Sequence, residues 1–89
     1  MATVTFAPAI QRHVSVDDLQ VDGGNVHAAL AACVARVPAL RGYLFNDQDR
    51  LRPHVAVFVD GYLIRDRKHL TDALDAGSRV YVAQALSGG

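Results

Sequence analysis

Apolar and polar positions alternate at the start of the chain and predict a strand. Over residues 2–6, alanine, valine and phenylalanine take every second position and threonines stand between them, the period of a half-buried strand. Pro8 ends or interrupts this strand. Residues 14–21 are also strand-like, but the apolar positions change parity at Asp17-Asp18, which predicts a turn or bulge there.

The pattern then changes to the period of a helix. Asp22-Gly23-Gly24 is a turn signal, and Asn25 is a suitable N-cap for the segment that follows. Apolar residues recur on one helical face: Val26, Ala29, Leu30, Cys33, Val34 and Val37. Pro38 ends this helix, because the residue before a proline avoids the α region. Residues 39–53 mix apolar anchors with a polar run and predict a short helical turn that leads into a loop.

The second half of the chain returns to strand patterns. Residues 55–59 predict a strand, Asp60-Gly61 is a strong two-residue hairpin signal, and residues 62–65 would form the return strand. The spacing of Leu70, Ala73 and Leu74 predicts one further helical turn. Residues 79–85 alternate again and predict the last strand.

Together these elements predict an α+β protein with a β-grasp (ubiquitin-like) architecture. We expect a mixed sheet of four to five strands with one main helix packed on one face, and with the first and last strands adjacent and parallel at its centre. The other sheet face would be open or covered by a partner. The β-grasp domain is expected to span residues 1–86, with a flexible diglycine tail over residues 87–89.

Composition narrows the possible functions. Nine basic and nine acidic residues cancel, so no charge pattern for nucleic acid or an anionic membrane is present. One cysteine forms no internal disulfide, no apolar run approaches membrane-spanning length, and no signal-peptide pattern opens the chain, so we expect a cytoplasmic protein. The four histidines show no metal-ligand spacing, and Cys33 lies in the apolar stripe of the helix, which favours core packing over a persulfide relay.

The sequence Ser87-Gly88-Gly89 is the feature that points most strongly to a function. Glycines let a backbone enter a narrow groove and adopt conformations closed to other residues. Three residues beyond the last strand reach about 10 Å when extended. Such a segment suits a terminal carboxylate that must reach into another protein's active site.

The whole chain resembles the MoaD/ThiS family of ubiquitin-like sulfur carriers. The resemblance is carried by the opening strand, the helix ending at Pro38, the hairpin at 55–61, and the run from Leu74 through the last strand to Gly89. It implies that the chain is not itself an enzyme and binds no cofactor or metal. A ubiquitin-activating-like adenylyltransferase would use ATP to adenylate Gly89, and a sulfur donor protein would convert it to a thiocarboxylate. A biosynthetic enzyme would then accept the sulfur; neither nucleic acid nor membrane is an expected partner.

The sequence departs from parts of the family and leaves several roles open. No proline precedes the diglycine, as is common in small subunits of molybdopterin synthase, and residues 39–53 have no equivalent in the shorter thiamine-pathway carriers. These features are more similar to carriers that supply cysteine or another sulfur metabolite. The alternatives are the molybdopterin synthase subunit, a ubiquitin-like modifier attached through Gly89, and a plain β-grasp binding module.

Strand parity predicts where a partner would dock. If the valines of 55–59 and of 79–85 pack under the helix, Phe58 and Tyr81 face outward on neighbouring strands. With Leu86 beyond them, they would form an apolar partner-binding patch. The charged run over residues 65–68 is expected to be a solvated turn, or else to steer the chain toward an acidic partner.

Overall fold

The computed structural model describes residues 1–84 and shows five strands and three helices within them. The elements are β1 (Ala2–Phe6), α1 (Pro8–Gln11), β2 (Leu19–Val21), α2 (Val26–Arg36), α3 (Ala39–Leu44), β3 (Val55–Val59), β4 (Tyr62–Leu63) and β5 (Arg79–Gln84). Helix α3 is the short turn expected after Pro38. Helix α1 was not predicted; it begins at Pro8, where a proline is tolerated because the first helical N–H has no partner within the helix.

The five strands form one mixed sheet in the order β2-β1-β5-β3-β4. Strands β1 and β5 are parallel, and the remaining neighbours are antiparallel. The predicted central pair of first and last strands is therefore confirmed. Because β5 lies in the middle of the sheet, its side chains have neighbours on both sides along most of its length.

Helix α2 begins directly after Asn25, as the capping signal predicted. The four N–H groups of its first turn, at residues 26–29, all have acceptors. The Asn25 side chain accepts from the Ala28 N–H at 2.8 Å, which confirms the capping turn. Gly23 lies so close to the helix that an added Cβ would stand 2.9 Å from the Ala29 nitrogen. The turn therefore needs a glycine for close approach, not for phosphate binding.

The core lies between α2 and one face of the sheet. Its fully buried members include residues of α2, of α3 and of the three central strands: Val4, Val26, Leu30, Cys33, Leu40, Leu44, Val55, Val57, Val80 and Val82. Burial raises the pKa of the Cys33 thiol to about 11, against a smaller lowering by Arg36. The expectation that Cys33 packs in the core is confirmed.

The segment around Leu70, Ala73 and Leu74 is not a helical turn, so that prediction was wrong. Leu70 has a positive φ of 56°, and Ala73 forms an isolated bridge with Asn25. The segment instead runs beside the start of α2. The carbonyl oxygens of Leu70 and Asp72 accept the first two N–H groups of the helix, from His27 at 2.9 Å and Val26 at 3.0 Å. Leu70 and Leu74 are apolar because both are buried, not because they share a helical face.

Two predicted strands are shorter than expected. The return strand of the hairpin ends at Leu63, since the N–H groups of Arg65 and Asp66 bond to the Asp72 carboxylate and not to β3. Strand β2 begins only at Leu19, so the parity change at Asp17-Asp18 falls in irregular chain before the strand. The valines at 14 and 16 are buried without being in a strand.

Candidate functional site

The open face of the sheet carries the two aromatic residues expected there. On β5, Val80 and Val82 are buried under α2, whereas Tyr81 between them is 41% exposed. Tyr81 pairs with Phe58 on β3, and residues directly opposite on antiparallel strands point to the same face. The predicted parity is therefore confirmed, and Phe58 and Tyr81 lie side by side with ring centroids 6.4 Å apart.

Leu63 extends this pair into a row, and the sequence argument missed it. It pairs with Phe58 across the hairpin and is 56% exposed. We call Leu63, Phe58 and Tyr81 the apolar row. The signal was available, because a two-residue turn at Asp60-Gly61 sets residue 58 opposite residue 63. Both turn residues have positive φ, 51° and 88°, as a tight hairpin of this kind requires.

From the apolar row, the apolar surface of the open face continues toward the end of β5 and not toward its start. Ala56 and Ala83 form the next outward pair, about 7 Å farther along the strands toward the end of β5. In the other direction the outward residue of β5 is the exposed Arg79. An apolar strip therefore runs from the apolar row toward Gln84, the last described residue.

A polar and aromatic cluster stands at that end of β5. The Tyr43 hydroxyl on α3 donates to Gln84 Oε1 at 2.6 Å. The Tyr43 ring stacks on His13 with centroids 5.5 Å apart and meets His54 edge-on at 5.7 Å. We call these four residues the tail-root cluster. No local pattern in the sequence signals it, because its members come from four separate segments.

The remaining predicted site residues, Leu86, Ser87, Gly88 and Gly89, lie outside the described residues. The boundary expected between a domain and a tail at 86–87 also lies there. These assignments stay predictions. The structure thus brings together Phe58 and Tyr81 and places β5 so that it leads directly to residues 85–89.

The charged run over residues 65–68 includes a turn with Arg65 and Lys68 exposed, as expected, while Asp66 and Arg67 are half-buried and hydrogen-bonded to neighbouring groups. The Arg67 guanidinium donates to the carbonyl oxygens of Val55 at 2.7 Å and Arg52 at 3.0 Å. Asp66 accepts the Thr71 hydroxyl at 2.6 Å and the His69 N–H at 2.9 Å. These bonds, the hydroxyl first, lower the pKa of the Asp66 carboxyl from about 3.8 to about 2. Through Arg67, this loop is tied to the start of β3.

The helical side of the molecule carries a groove of about 300 Å³, between α2, α3 and the loop after α3. Its rim includes an ion pair between Arg41 and Asp49. The groove lies across the sheet from the apolar row. Within residues 1–84, no group of three or more histidine, cysteine or acidic side chains could hold a metal ion.

No protein-family model and no curated protein matches the sequence. Solved structures do match, over nearly the full length of both chains. SAMP1 from Haloferax volcanii is 26% identical with a TM-score of 0.80, and the match covers 99% of this chain and 98% of that one. A chain of the BexX/CysO complex from Amycolatopsis orientalis is 20% identical with a TM-score of 0.80, and the match covers 100% of both chains. Urm1 from Trypanosoma brucei is 23% identical with a TM-score of 0.70, with coverage of 99% and 94%.

The chain has the ubiquitin-like β-grasp fold of these neighbours. The resemblance predicted from the sequence is therefore confirmed. The Haloferax volcanii neighbour is a small archaeal modifier protein. Among the described residues, no helix has the length and apolar character that a membrane crossing needs.

Proposed function

We propose that this β-grasp protein is a sulfur carrier whose reactive group is the carboxylate of Gly89. A partner enzyme would join that carboxylate to the α-phosphorus of ATP, and pyrophosphate would leave. A sulfide or persulfide sulfur from a donor protein would then attack the acyl carbon, and the C–O bond to AMP would break. Attack by sulfide would give the Gly89 thiocarboxylate directly. Attack by a persulfide would give an acyl disulfide with the donor, and a thiol would then reduce its S–S bond, releasing the thiocarboxylate and forming a disulfide between that thiol and the donor cysteine.

The observation that carries this proposal is the course of β5. This strand holds Tyr81 of the apolar row and ends at Gln84, five residues before Gly89. Five residues span at most about 17 Å. An enzyme docked on the apolar row would therefore have the Gly89 carboxylate within reach of an adjacent active site.

The division of labour follows from the chemistry. A carboxylate is a poor acyl donor, and the partner must supply the nucleotide site, the orientation and the charge stabilisation for adenylation. ATP is accordingly a substrate of the partner and not a cofactor of this chain. We place the reaction in the cytoplasm, with a biosynthetic enzyme for cysteine or another sulfur metabolite as the acceptor.

Intact-mass measurement tests the proposal directly. The chain is incubated with ATP, a sulfide source and the candidate activating enzyme encoded near its gene. We expect the mass increase that replacement of one oxygen by sulfur produces, and no change in a variant without Gly88 and Gly89. An unmodified chain with every such enzyme would contradict the carrier role.

A second candidate role is protein modification through Gly89. The specific observation in its favour is the 26% identity to SAMP1, described for Methanosarcina acetivorans as a small archaeal modifier protein. Both roles share the adenylated intermediate, but here the acceptor is a lysine amine of a target. Glycine-glycine remnants on lysines of other proteins, absent when Gly89 is deleted, would decide for the modifier. Stable co-purification with a larger subunit would instead favour the molybdopterin synthase alternative.

A further inference from the structure

The tail-root cluster lies where the sheet stops holding β5. Val82 is the last residue of β5 that pairs with β1, and its carbonyl accepts the Ala7 N–H at 2.8 Å. Gln84 pairs only with Val55, the first residue of β3. Past Val82, therefore, main-chain pairing restrains β5 on one edge alone.

Tyr43 supplies a restraint at this point from the other layer of the molecule. It lies on α3, 41 positions before Gln84, and its hydroxyl donates to the Gln84 side chain. The 2.6 Å separation of the two oxygens is at the short end of the usual range for such a bond.

The two histidines hold the Tyr43 ring in the orientation that this bond needs. His13 covers one face of the ring, with an interplanar angle of 28°, and His54 approaches at 86°. Stacked and edge-to-face arrangements at such separations are the geometries that aromatic rings prefer. The ring contacts come from the segment after α1 and from the residue before β3. Tyr43 therefore contacts segments connected to both strands that flank β5.

We infer that Tyr43 is a positioning residue for the carboxyl-terminal segment. By holding Gln84, it sets the position and direction of the chain at the residue that precedes 85–89. This inference rests on the proposed function, because its consequence is the placement of the Gly89 carboxylate at an enzyme docked on the apolar row. Restricting the starting point of a tethered group raises its effective concentration at a nearby site.

The expected effect is on turnover and not on docking. Tyr43→Phe keeps the ring and its contacts with both histidines but removes the hydroxyl. We expect kcat for adenylation to fall by roughly threefold to tenfold, less than the hundredfold that a misplacement of about 1 Å can cost. The KM for the carrier should stay unchanged, because the apolar row is intact. Gln84→Met, which removes the acceptor, should give the same fall, and the double variant should lose no more than either single one.

One measurement, with one control variant, makes the test independent of the proposed function. Amide hydrogen exchange at residues 83–85 should become faster in Tyr43→Phe, whether or not any enzyme acts on the chain. Tyr62→Phe is the matched control, because it removes an exposed hydroxyl from the hairpin, on the sheet side opposite the apolar row. It should change neither exchange nor kcat.

The outcomes separate the two ideas. Unchanged exchange in both Tyr43→Phe and Gln84→Met would overturn the inference, even with a wild-type chain that is adenylated normally. Faster exchange with kcat at the wild-type value, or a rise in KM without loss of kcat, would also overturn it. Faster exchange in a chain that no enzyme adenylates would contradict the proposed function and leave the Tyr43 restraint standing.

Discussion

Cys33 shows how burial determines the reactivity of a side chain in this protein. In a protein proposed to carry sulfur, a lone cysteine invites a role as a persulfide relay. Cys33 is fully buried on the face of α2 that packs on the sheet, and burial raises the pKa of its thiol to about 11. A thiol is a poor nucleophile because the thiolate is the reactive form. The core position therefore excludes Cys33 from sulfur transfer in the folded state.

The first prediction follows from this burial. Cys33→Ala should lower the free energy of unfolding by about 1 kcal/mol, as expected for the loss of one buried heavy atom. Thiocarboxylate formation on Gly89 should remain at the wild-type level. Denaturant unfolding checks the stability and intact mass checks the thiocarboxylate, on the same sample. Loss of the thiocarboxylate in a folded Cys33→Ala chain would support a persulfide relay at Cys33.

Asp66 gives a prediction about pH. Its pKa is lower in the folded chain than the ordinary value of 3.8, so the ionised form stabilises the fold above that value. This stabilisation is lost as the pH falls from 3.8 through about 2, where the folded carboxyl takes up its proton. The melting temperature of Asp66→Asn should therefore fall less over this interval than that of the wild type.

Asp17→Asn is the control for this measurement. Asp17 is exposed and its side chain makes no hydrogen bond to any residue of the described part of the chain. Its melting temperature should follow the wild-type acid profile. Equal profiles for Asp66→Asn and the wild type would contradict the role of the loop carboxylate.

The β3-β4 hairpin determines which residues join the apolar row. Gly61 has a φ of 88°, and a Cβ added there would meet no atom within 4 Å. Gly61→Ala should therefore cost about 1–2 kcal/mol through backbone conformation alone. Gly77 also has open space around it but no positive φ, so Gly77→Ala should be neutral or stabilise by roughly 0.4–1 kcal/mol. Denaturant unfolding measures the change in the free energy of unfolding for both variants. Equal changes would contradict the role of the positive φ at Gly61.

The elements that the sequence predicted correctly are those with local causes. Helix α2 has its own cap and its own apolar face, and β3, β5 and the Asp60-Gly61 turn are marked by residues next to each other. The segment at Leu70 failed because its partners are the N–H groups of a helix more than forty residues earlier. Apolar spacing reports burial but does not say which element provides it.

The same reasoning divides the candidate site. Parity along β3 and β5 was sufficient to place Phe58 and Tyr81 on the open face. The contact between Tyr43 and Gln84 depends on how α3 packs against the end of the sheet, and no local pattern encodes it. Sequence therefore predicted which aromatic side chains lie on the open face, but not the contact between Tyr43 and Gln84 at the end of β5.

At the scale of the whole molecule, net charge and apolar surface indicate which forces would drive binding to a partner. The formal net charge is zero, so long-range attraction contributes little to association. If a partner docks on the apolar row as proposed, this row would be the main source of affinity, since aromatic side chains dominate the energetics of interface cores. Docking of this domain should accordingly depend weakly on salt.

The last prediction tests the two faces of the sheet against each other. Tyr81→Asp and Phe58→Asp should weaken binding to the activating enzyme and leave the fold intact, because a carboxylate costs several kcal/mol when buried at an interface and little in water. Val57→Asp and Val80→Asp should unfold the domain, since the same penalty falls on fully buried core positions and total stability is only about 5–15 kcal/mol. Circular dichroism and a binding titration separate the two effects. Folded row variants that bind with unchanged affinity would show that the partner uses another surface.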